Sequence, residues 1–422
     1  MKLAPRKLPA KPVGPKKLAI TRDTAPLTLA APVDAGRGSV VPLGWVSVID
    51  NKRILIGYTA PHGRAAMKAG ARYTLDGGAS WQAATAPVAR NIDHGTSAGY
   101  DLDLEGTAAA VSSGYGCVGA NPSPRQLMTK YTFANGAWKA HTPPVPIAAD
   151  LRHCGSNGWV TRIKHGSKAG RLWATHGQID RTHAMSSSVY FSDDDGDNWY
   201  PWGRGAKIPG SRESAWTTNT YCYQQPRVTE YKGHVACAWQ DKRGLLWTYF
   251  DGAKWAKVMT IDKDAKATLQ ISALESFRVP GCIVTRGENE IFLTAWNVKG
   301  VLRWDGKKWH RENTKAEDAG KLTVCGDQVM LFTAGHVPEP PKRKQIHIRR
   351  KAEVVCWRRD KNAKWHGPYR LSPGGQTTIM YYRQMPGVIA PREAPANFVP
   401  VAWSDGQAIK MIRVPATVSK GL

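Results

Sequence analysis

Phenylalanine, cysteine and acid are all scarce in this sequence, and it has no long hydrophobic run. No stretch of about 18 apolar residues occurs in the 422, so a helical membrane span is not expected. The first twenty residues hold Lys or Arg at 2, 6, 7, 11, 16 and 17 with prolines between them, and no apolar stretch of the ~7–15 residues a secretory signal needs. Residues 27–31 are apolar but too few to serve. A place in the cytoplasm or in a virion or other particle is therefore expected over secretion by that route.

The seven cysteines (117, 154, 222, 237, 282, 325 and 356) are odd in number and show no CxxC spacing, which leaves a zinc site without support. Cys237, Cys282, Cys325 and Cys356 sit inside apolar β-like runs, so buried free thiols are expected in preference to disulfides. His153, His176 and His183 match no metal spacing. Asp193, Asp194, Asp195 and Asp197 lack the Glu that closes a calcium loop. No Walker loop, dinucleotide fingerprint or Gly-x-Ser-x-Gly elbow is present. Neither a cofactor nor a metal is expected.

Basic residues are plentiful: 59 Lys and Arg against 33 acids give a net charge of +26. Residues 1–22 contain seven Lys or Arg and no acid, among them Lys2, Arg6, Lys7, Lys11, Lys16 and Lys17. A second cluster is Lys342, Arg343 and Lys344 with Arg349, Arg350 and Lys351. Such patches favour a polyanion, such as nucleic acid or an acidic glycan, or an acidic protein partner. Elsewhere the scattered lysines serve solubility. The Pro-rich arm, residues 1–25, lacks helical periodicity and is expected to be flexible or bound to a partner.

Tryptophan is abundant, with 17 copies against 7 phenylalanines, and several copies mark a repeat. Asp76-Gly77-Gly78-Ala79-Ser80-Trp81 returns as Asn135-Gly136-Ala137-Trp138, Asp194-Asp195-Gly196-Asp197-Asn198-Trp199, Asp251-Gly252-Ala253-Lys254-Trp255, Asp305-Gly306-Lys307-Lys308-Trp309 and Asp360-Lys361-Asn362-Ala363-Lys364-Trp365. The tryptophans are 57, 61, 56, 54 and 56 residues apart, and Ser404-Asp405-Gly406 is a shortened further copy. Short β-rich runs flank each turn, about four per repeat, which is the pattern of a propeller blade. The turn residues have a mechanical reason. Asp or Asn bonds the backbone just ahead of it, and Gly supplies positive φ. Counting units gives an all-β, seven-bladed β-propeller of four-stranded antiparallel blades over residues 26–415, with a tail at 416–422. The last unit lacks a fourth strand, and residues 27–31 are expected to supply it and close the ring.

Two of the turns, Thr74 to Trp81 and Ser192 to Trp199, fit Ser/Thr-x-Asp-x-Gly-x-x-Trp. The chain thus resembles the Asp-box propellers of the sialidase superfamily, where this turn joins the third and fourth strands of a blade away from the catalytic face. Arginines recur on the innermost runs, in Pro226-Arg227-Val228, Phe277-Arg278-Val279-Pro280 and Tyr382-Arg383-Gln384-Met385-Pro386. Phe277-Arg278-Val279-Pro280 is similar to the sialidase Phe/Tyr-Arg-Ile-Pro motif. The resemblance would make Arg227, Arg278 and Arg383 a carboxylate-holding triad, Tyr381 or Tyr382 the nucleophile and Glu230 its activating partner. Arg278, however, follows four of the turns instead of preceding the first, and neither Asp50 nor Asp101 is clearly an acid/base. The alternative is that these arginines brace strand ends through backbone contacts. Trp239, Trp296 and Trp403 end second strands, where they either stack on sugars or pack between blades.

The first functional expectation is a non-catalytic binding or scaffold propeller in a larger assembly, its basic arm contacting a polyanion or acidic partner. The alternatives are a divergent sialidase-like glycoside hydrolase and a lectin-like propeller.

Overall fold

A computed structural model describes residues 16–17, 27–29, 43–62, 66–84, 100–102, 107–113, 126–140, 145–147, 154–179, 184–203, 207–211, 214–215, 226–241, 243–265, 280–295, 298–314, 316, 320–335, 350–371, 377–379, 388–394, 397–404 and 409–416. Among them, one four-residue helix, Ile261–Asp264, interrupts an otherwise all-β chain. The fold is a β-propeller of four-stranded antiparallel blades.

Each blade is a meander, because each short apolar run is followed by a turn tight enough to reverse the chain. In one blade Arg227–Tyr231, His234–Asp241, Gly244–Tyr249 and Met259–Thr260 succeed one another as neighbours. Pro280–Arg286, Glu290–Ala295, Val301–Trp304 and Trp309–Glu312 repeat the pattern. So do Leu43–Val48, Ile54–His62, Ala66–Thr74 and Gln82–Ala84. Tyr100–Leu102 to Ala137–Ala140 and Cys154–Arg162 to Tyr200–Pro201 do likewise, each with one short extra strand.

The expectation of seven blades needs correction, because six sheets have the form of a blade. Six sheets of four or five strands have the expected form, and the remaining sheet has seven strands. It carries the antiparallel meander Lys321–Cys325, Gln328–Gly335, Arg350–Arg359 and Trp365–Arg370, but gains parallel neighbours at both edges. Lys16–Lys17 lies along Trp365–Arg370, and Glu393–Ala394 lies along Lys321–Cys325. An edge strand's unpaired N–H and C=O groups accept any segment that reaches them, so distant pieces of chain join this sheet. Thr377–Ile379 also pairs back onto it, at Arg350–Arg359. The last sheet begins at Val388–Ile389 and runs through Phe398–Ser404 to Ile409–Pro415, on which Leu27–Leu29 lies antiparallel.

The first strands of successive sheets pack against one another around the axis. Cys154–Arg162 lies on Arg227–Tyr231, that strand on Pro280–Arg286, and that one on Lys321–Cys325. Between the sheets, alternate side chains interdigitate into apolar layers. Trp173, Trp239, Val228, Phe292 and Leu331 share one such layer. Trp247, Trp304, Trp309 and Tyr231 share another. Fully burying a side chain of this kind stabilises by about 1.5–3 kcal/mol, and the aromatic contacts add to it.

Two of the turns close by the same network. In one, the Ser192 hydroxyl donates to Asp194 Oδ1 at 2.7 Å and accepts from the Gly196 N–H at 2.8 Å. Asn198 N donates to Asp194 at 2.9 Å, and the Trp199 indole donates to the Gly196 carbonyl at 3.1 Å. Thr74, Asp76, Gly78, Ser80 and Trp81 repeat these bonds at 2.7, 2.8, 2.9 and 3.2 Å. Gly196 adopts φ 87°, which L side chains rarely take. The degenerate copies keep the aspartate bonds: Asp251, Asp305 and Asp360 each accept from two backbone N–H groups within the next four residues.

Cys237, Cys282, Cys325 and Cys356 are buried and form no disulfide among the described residues. Burial pushes Cys325 up to about 11 and Cys356 up to about 12, the nearby Arg358 opposing in both cases. Among the described residues no helix is long and apolar enough to cross a membrane.

Candidate functional site

The strands around the axis each present one open edge to it, and the backbone carbonyls there need donors. Guanidinium groups supply several. Arg227, 5% exposed, donates through Nε to the Gly281 carbonyl of the next blade at 3.1 Å and through Nη1 to its own neighbour Pro226 at 3.3 Å. Arg392 follows Val388–Ile389 and reaches much farther. It donates to Val160 O at 2.6 Å and Val228 O at 3.1 Å, 232 and 164 residues away in sequence. Its own segment is fixed to Lys321–Cys325: Val324 N donates to Arg392 O at 2.8 Å, and the Thr323 hydroxyl donates to Pro391 O at 2.6 Å. Residues 391–394 thus tie the blade beginning at Lys321 to those of Val160 and Val228.

These contacts gather three cations around one buried indole. Arg227 Cζ lies 4.6 Å from the Trp159 ring centroid, Lys321 Nζ 5.4 Å and Arg392 Cζ 5.4 Å. Cation–π attraction of ~0.5–2 kcal/mol each favours this, whereas mutual repulsion opposes it. From those centroid distances no two of the charges are more than about 10.8 Å apart, which at an effective dielectric constant near 20 means roughly 1.5 kcal/mol or more of repulsion per pair. The effect is legible on Lys321. Burial pushes Lys321 down to about 8; the nearby Cys282 opposes the shift, while Arg227 and Arg392 add to it. Burial likewise lowers Arg227 to about 10, against a small opposing effect of Cys282.

The neighbouring acids are engaged elsewhere. Glu230 accepts from Lys164 N at 3.0 Å, from His165 N at 2.9 Å and contacts His165 Nδ1 at 2.9 Å. Glu393 forms an ion pair with Lys164. Both carboxylates therefore clamp the hairpin at 163–166 to its neighbours. Gly233 completes that clamp: it turns at φ 71°, and a Cβ there would stand 3.0 Å from His165 O. Lys321 differs from both arginines. It is half-buried and has no hydrogen-bond or ion-pair partner among the described residues.

Of the residues singled out from sequence, Arg227 and Glu230 stand near the axis, each bonded to backbone. Arg278, Arg383, Tyr381, Tyr382 and Trp296 lie outside the described residues. Trp239 and Trp403 are buried at 0% and 1% exposure, their faces held by apolar neighbours, so neither offers a surface to a sugar in this structure. Lys2, Arg6, Lys7, Lys11, Lys342, Arg343, Lys344 and Arg349 lie outside the described residues, while Arg350 and Lys351 are described in backbone only, paired with Thr377–Ile379. Lys16 and Lys17 likewise are seen only as a strand.

Sequence reasoning missed Trp159, Lys321 and Arg392. One signal was available for the last: Pro391-Arg392 repeats the Pro226-Arg227 pair. The acidic run in the third repeat is fully explained by pairing. Asp195 meets Lys130 at 2.7 Å and Arg162 at 2.5 Å, and Asp193 meets Arg171 at 2.6 Å. No metal-holding group of acids, histidines and cysteines occurs among the described residues.

No known family model matches the chain, and no curated protein matches it in sequence. Solved structures do resemble it. Trypanosoma rangeli sialidase is 12% identical with a TM-score of 0.44, the match covering 97% of this chain and 60% of that one. YCF48 bound to a D1 peptide is 11% identical with a TM-score of 0.48, over 97% and 99% of the two chains. A polysaccharide lyase of family PL25, an ulvan lyase, is 11% identical with a TM-score of 0.49, over 89% and 94%. The chain thus spans less than two thirds of the Trypanosoma sialidase's length. At these identities no residue role passes from them to this chain.

Proposed function

We propose that this chain is a non-catalytic propeller that binds and positions partners within a larger assembly, its basic arm contacting a polyanion or an acidic protein surface. The observation that carries this reading is the use made of the polar groups near the axis. Glu230, the carboxylate that could activate a nucleophile, receives three bonds from the 164–165 hairpin. Arg227, the arginine that could hold a substrate carboxylate, donates to two backbone carbonyls. Groups so placed hold blades together, and a rigid frame with a net charge of +26 suits docking against polyanions.

The antiparallel pairing of Leu27–Leu29 with Ile409–Pro415 supports a further part of this reading, that the N-terminal strand closes the ring and sets the arm at the seam.

Two measurements test the proposal. Fluorogenic sialosides should show no turnover; turnover that Arg227→Ala abolishes while the fold persists would overturn it. Removing residues 1–22 should weaken association with the native partner and flatten its salt dependence. Unchanged binding at low and high salt would remove the role given to the arm.

A further inference from the structure

Most of the polar groups around the axis have a structural reason to be there. Arg227 and Arg392 donate to orphan carbonyls of strand edges, and Glu230 and Glu393 hold the 163–166 hairpin. Lys321 has no such partner among the described residues. It is the first residue of Lys321–Cys325 and extends its ammonium to 5.4 Å from the Trp159 ring, where two guanidiniums already lie. An ammonium carries three N–H donors, and among the described residues none of these has an acceptor. The indole N–H of Trp159, itself 3% exposed, also has no acceptor there. Several core indoles share that state, so Lys321 is the telling group.

A chain that needed only packing at this position would gain from methionine or leucine, which carry no charge to desolvate. A lysine kept among like charges suits an opposite charge, and none of the described residues supplies one to Lys321. Three cations around one ring exceed what one carboxylate balances, and both ammonium and guanidinium groups bind the oxygens of a tetrahedral dianion.

We propose that the propeller axis at Trp159 is an anion-binding site in which Lys321, with Arg227 and Arg392, receives a phosphate or sulfate group. Lys321 supplies the direct donors. Arg227 and Arg392, already fixed by their carbonyl bonds, supply a pre-oriented positive field. The bound dianion would join the blades of Cys154–Arg162, Arg227–Tyr231 and Lys321–Cys325 through one centre. This site is independent of the basic arm and of the assembly role proposed above, so either can fail alone.

The test is calorimetric titration of the full chain, at constant ionic strength, with inorganic phosphate, sulfate, phenyl phosphate and acetate. Thermal unfolding is followed in parallel. The expected result is saturable binding of one phosphate or sulfate per chain, with an unfolding midpoint that rises with its concentration. Lys321→Met should weaken binding about tenfold or more, Lys321→Arg should keep it, and Lys361→Met, on an exposed turn, should leave it unchanged. Lys321→Gln replaces the methionine variant should that one not fold. Binding of phenyl phosphate as tight as that of inorganic phosphate would identify the ligand as an ester on a larger molecule, and its exclusion would identify the free ion. Both outcomes support the site. The proposal is overturned by an absence of saturable binding, by equal affinity in Lys321→Met or Lys321→Gln, or by acetate binding as well as phosphate.

Discussion

Trp247 shows how much of the blade-to-blade adhesion rests on single side chains. It is fully buried, with ring centroids of Trp304, Trp309 and Tyr231 at 4.6, 5.2 and 5.8 Å. The Trp304 indole in turn donates to the Tyr231 hydroxyl at 3.0 Å, which locks the cluster's geometry. Trp247→Ala empties the space between two sheets that cannot collapse without moving both. Its expected cost is about 3–5 kcal/mol, read as a lowered urea midpoint with an unchanged slope. A loss below about 1 kcal/mol would mean the neighbouring indoles refill the space. Arg227 belongs to the same scale. Its recurrence in the sequence pointed to the axis, and its bonds there go to carbonyls.

At the scale of the element, the turns decide where each blade reverses, and they also carry an acid sensitivity. Asp76 is held well below the ordinary carboxylate range by hydrogen bonds from Ser80 and Thr74, which outweigh burial. For Asp194 and Asp305 burial works the other way but is overcome. Asn198 and Ser192 hold the first down, and the backbone at Lys308 together with His310 holds the second. Asp251 and Asp360 are lowered mainly by the backbone of Lys254 and by His366 respectively. A carboxylate whose folded pKa lies below its unfolded value of about 3.9 contributes stability that is complete above that value. The contribution is lost as pH falls through the folded pKa. The chain should therefore hold its stability down to about pH 4 and lose it steeply below. Asp305→Asn, which keeps an oxygen acceptor but not the charge, should flatten that acid slope in urea unfolding measured from pH 5 to 2. An identical slope would mean Asp305 titrates normally in the fold. These turns were legible in the sequence because the bonds from their aspartates to the backbone span four residues or fewer, so local composition determines them. The extra strands on the seven-stranded sheet were not legible. Lys16–Lys17 and Glu393–Ala394 are too short to carry a β signal and take strand form only because an open edge receives them.

For the whole molecule, the edge of Ile409–Pro415 is the vulnerable feature, covered among the described residues by Leu27–Leu29. Removing residues 1–30 leaves Ile409, Met411 and their neighbours on an unpaired edge. The truncated chain should unfold at a lower temperature and associate with itself, seen as concentration-dependent light scattering. A monomer with an unchanged midpoint would show that this pairing contributes little.

The sequence by itself determined the repeat, the reversing turns and the all-β class, since Asp, Gly and Trp act on the backbone within a few residues of themselves. It also pointed Arg227 toward the axis, through its place on an innermost strand, while Glu230 was named only through the family resemblance. Only the tertiary structure decided what those residues touch, and it alone brought Trp159, Lys321 and Arg392 together. The physical reason is distance along the chain. Arg392 meets carbonyls 164 and 232 residues away, and a cation's meaning depends on the charges and dipoles folded against it. A lysine at the start of an ordinary strand looks like a solvated charge until the fold places two arginines and an indole around it.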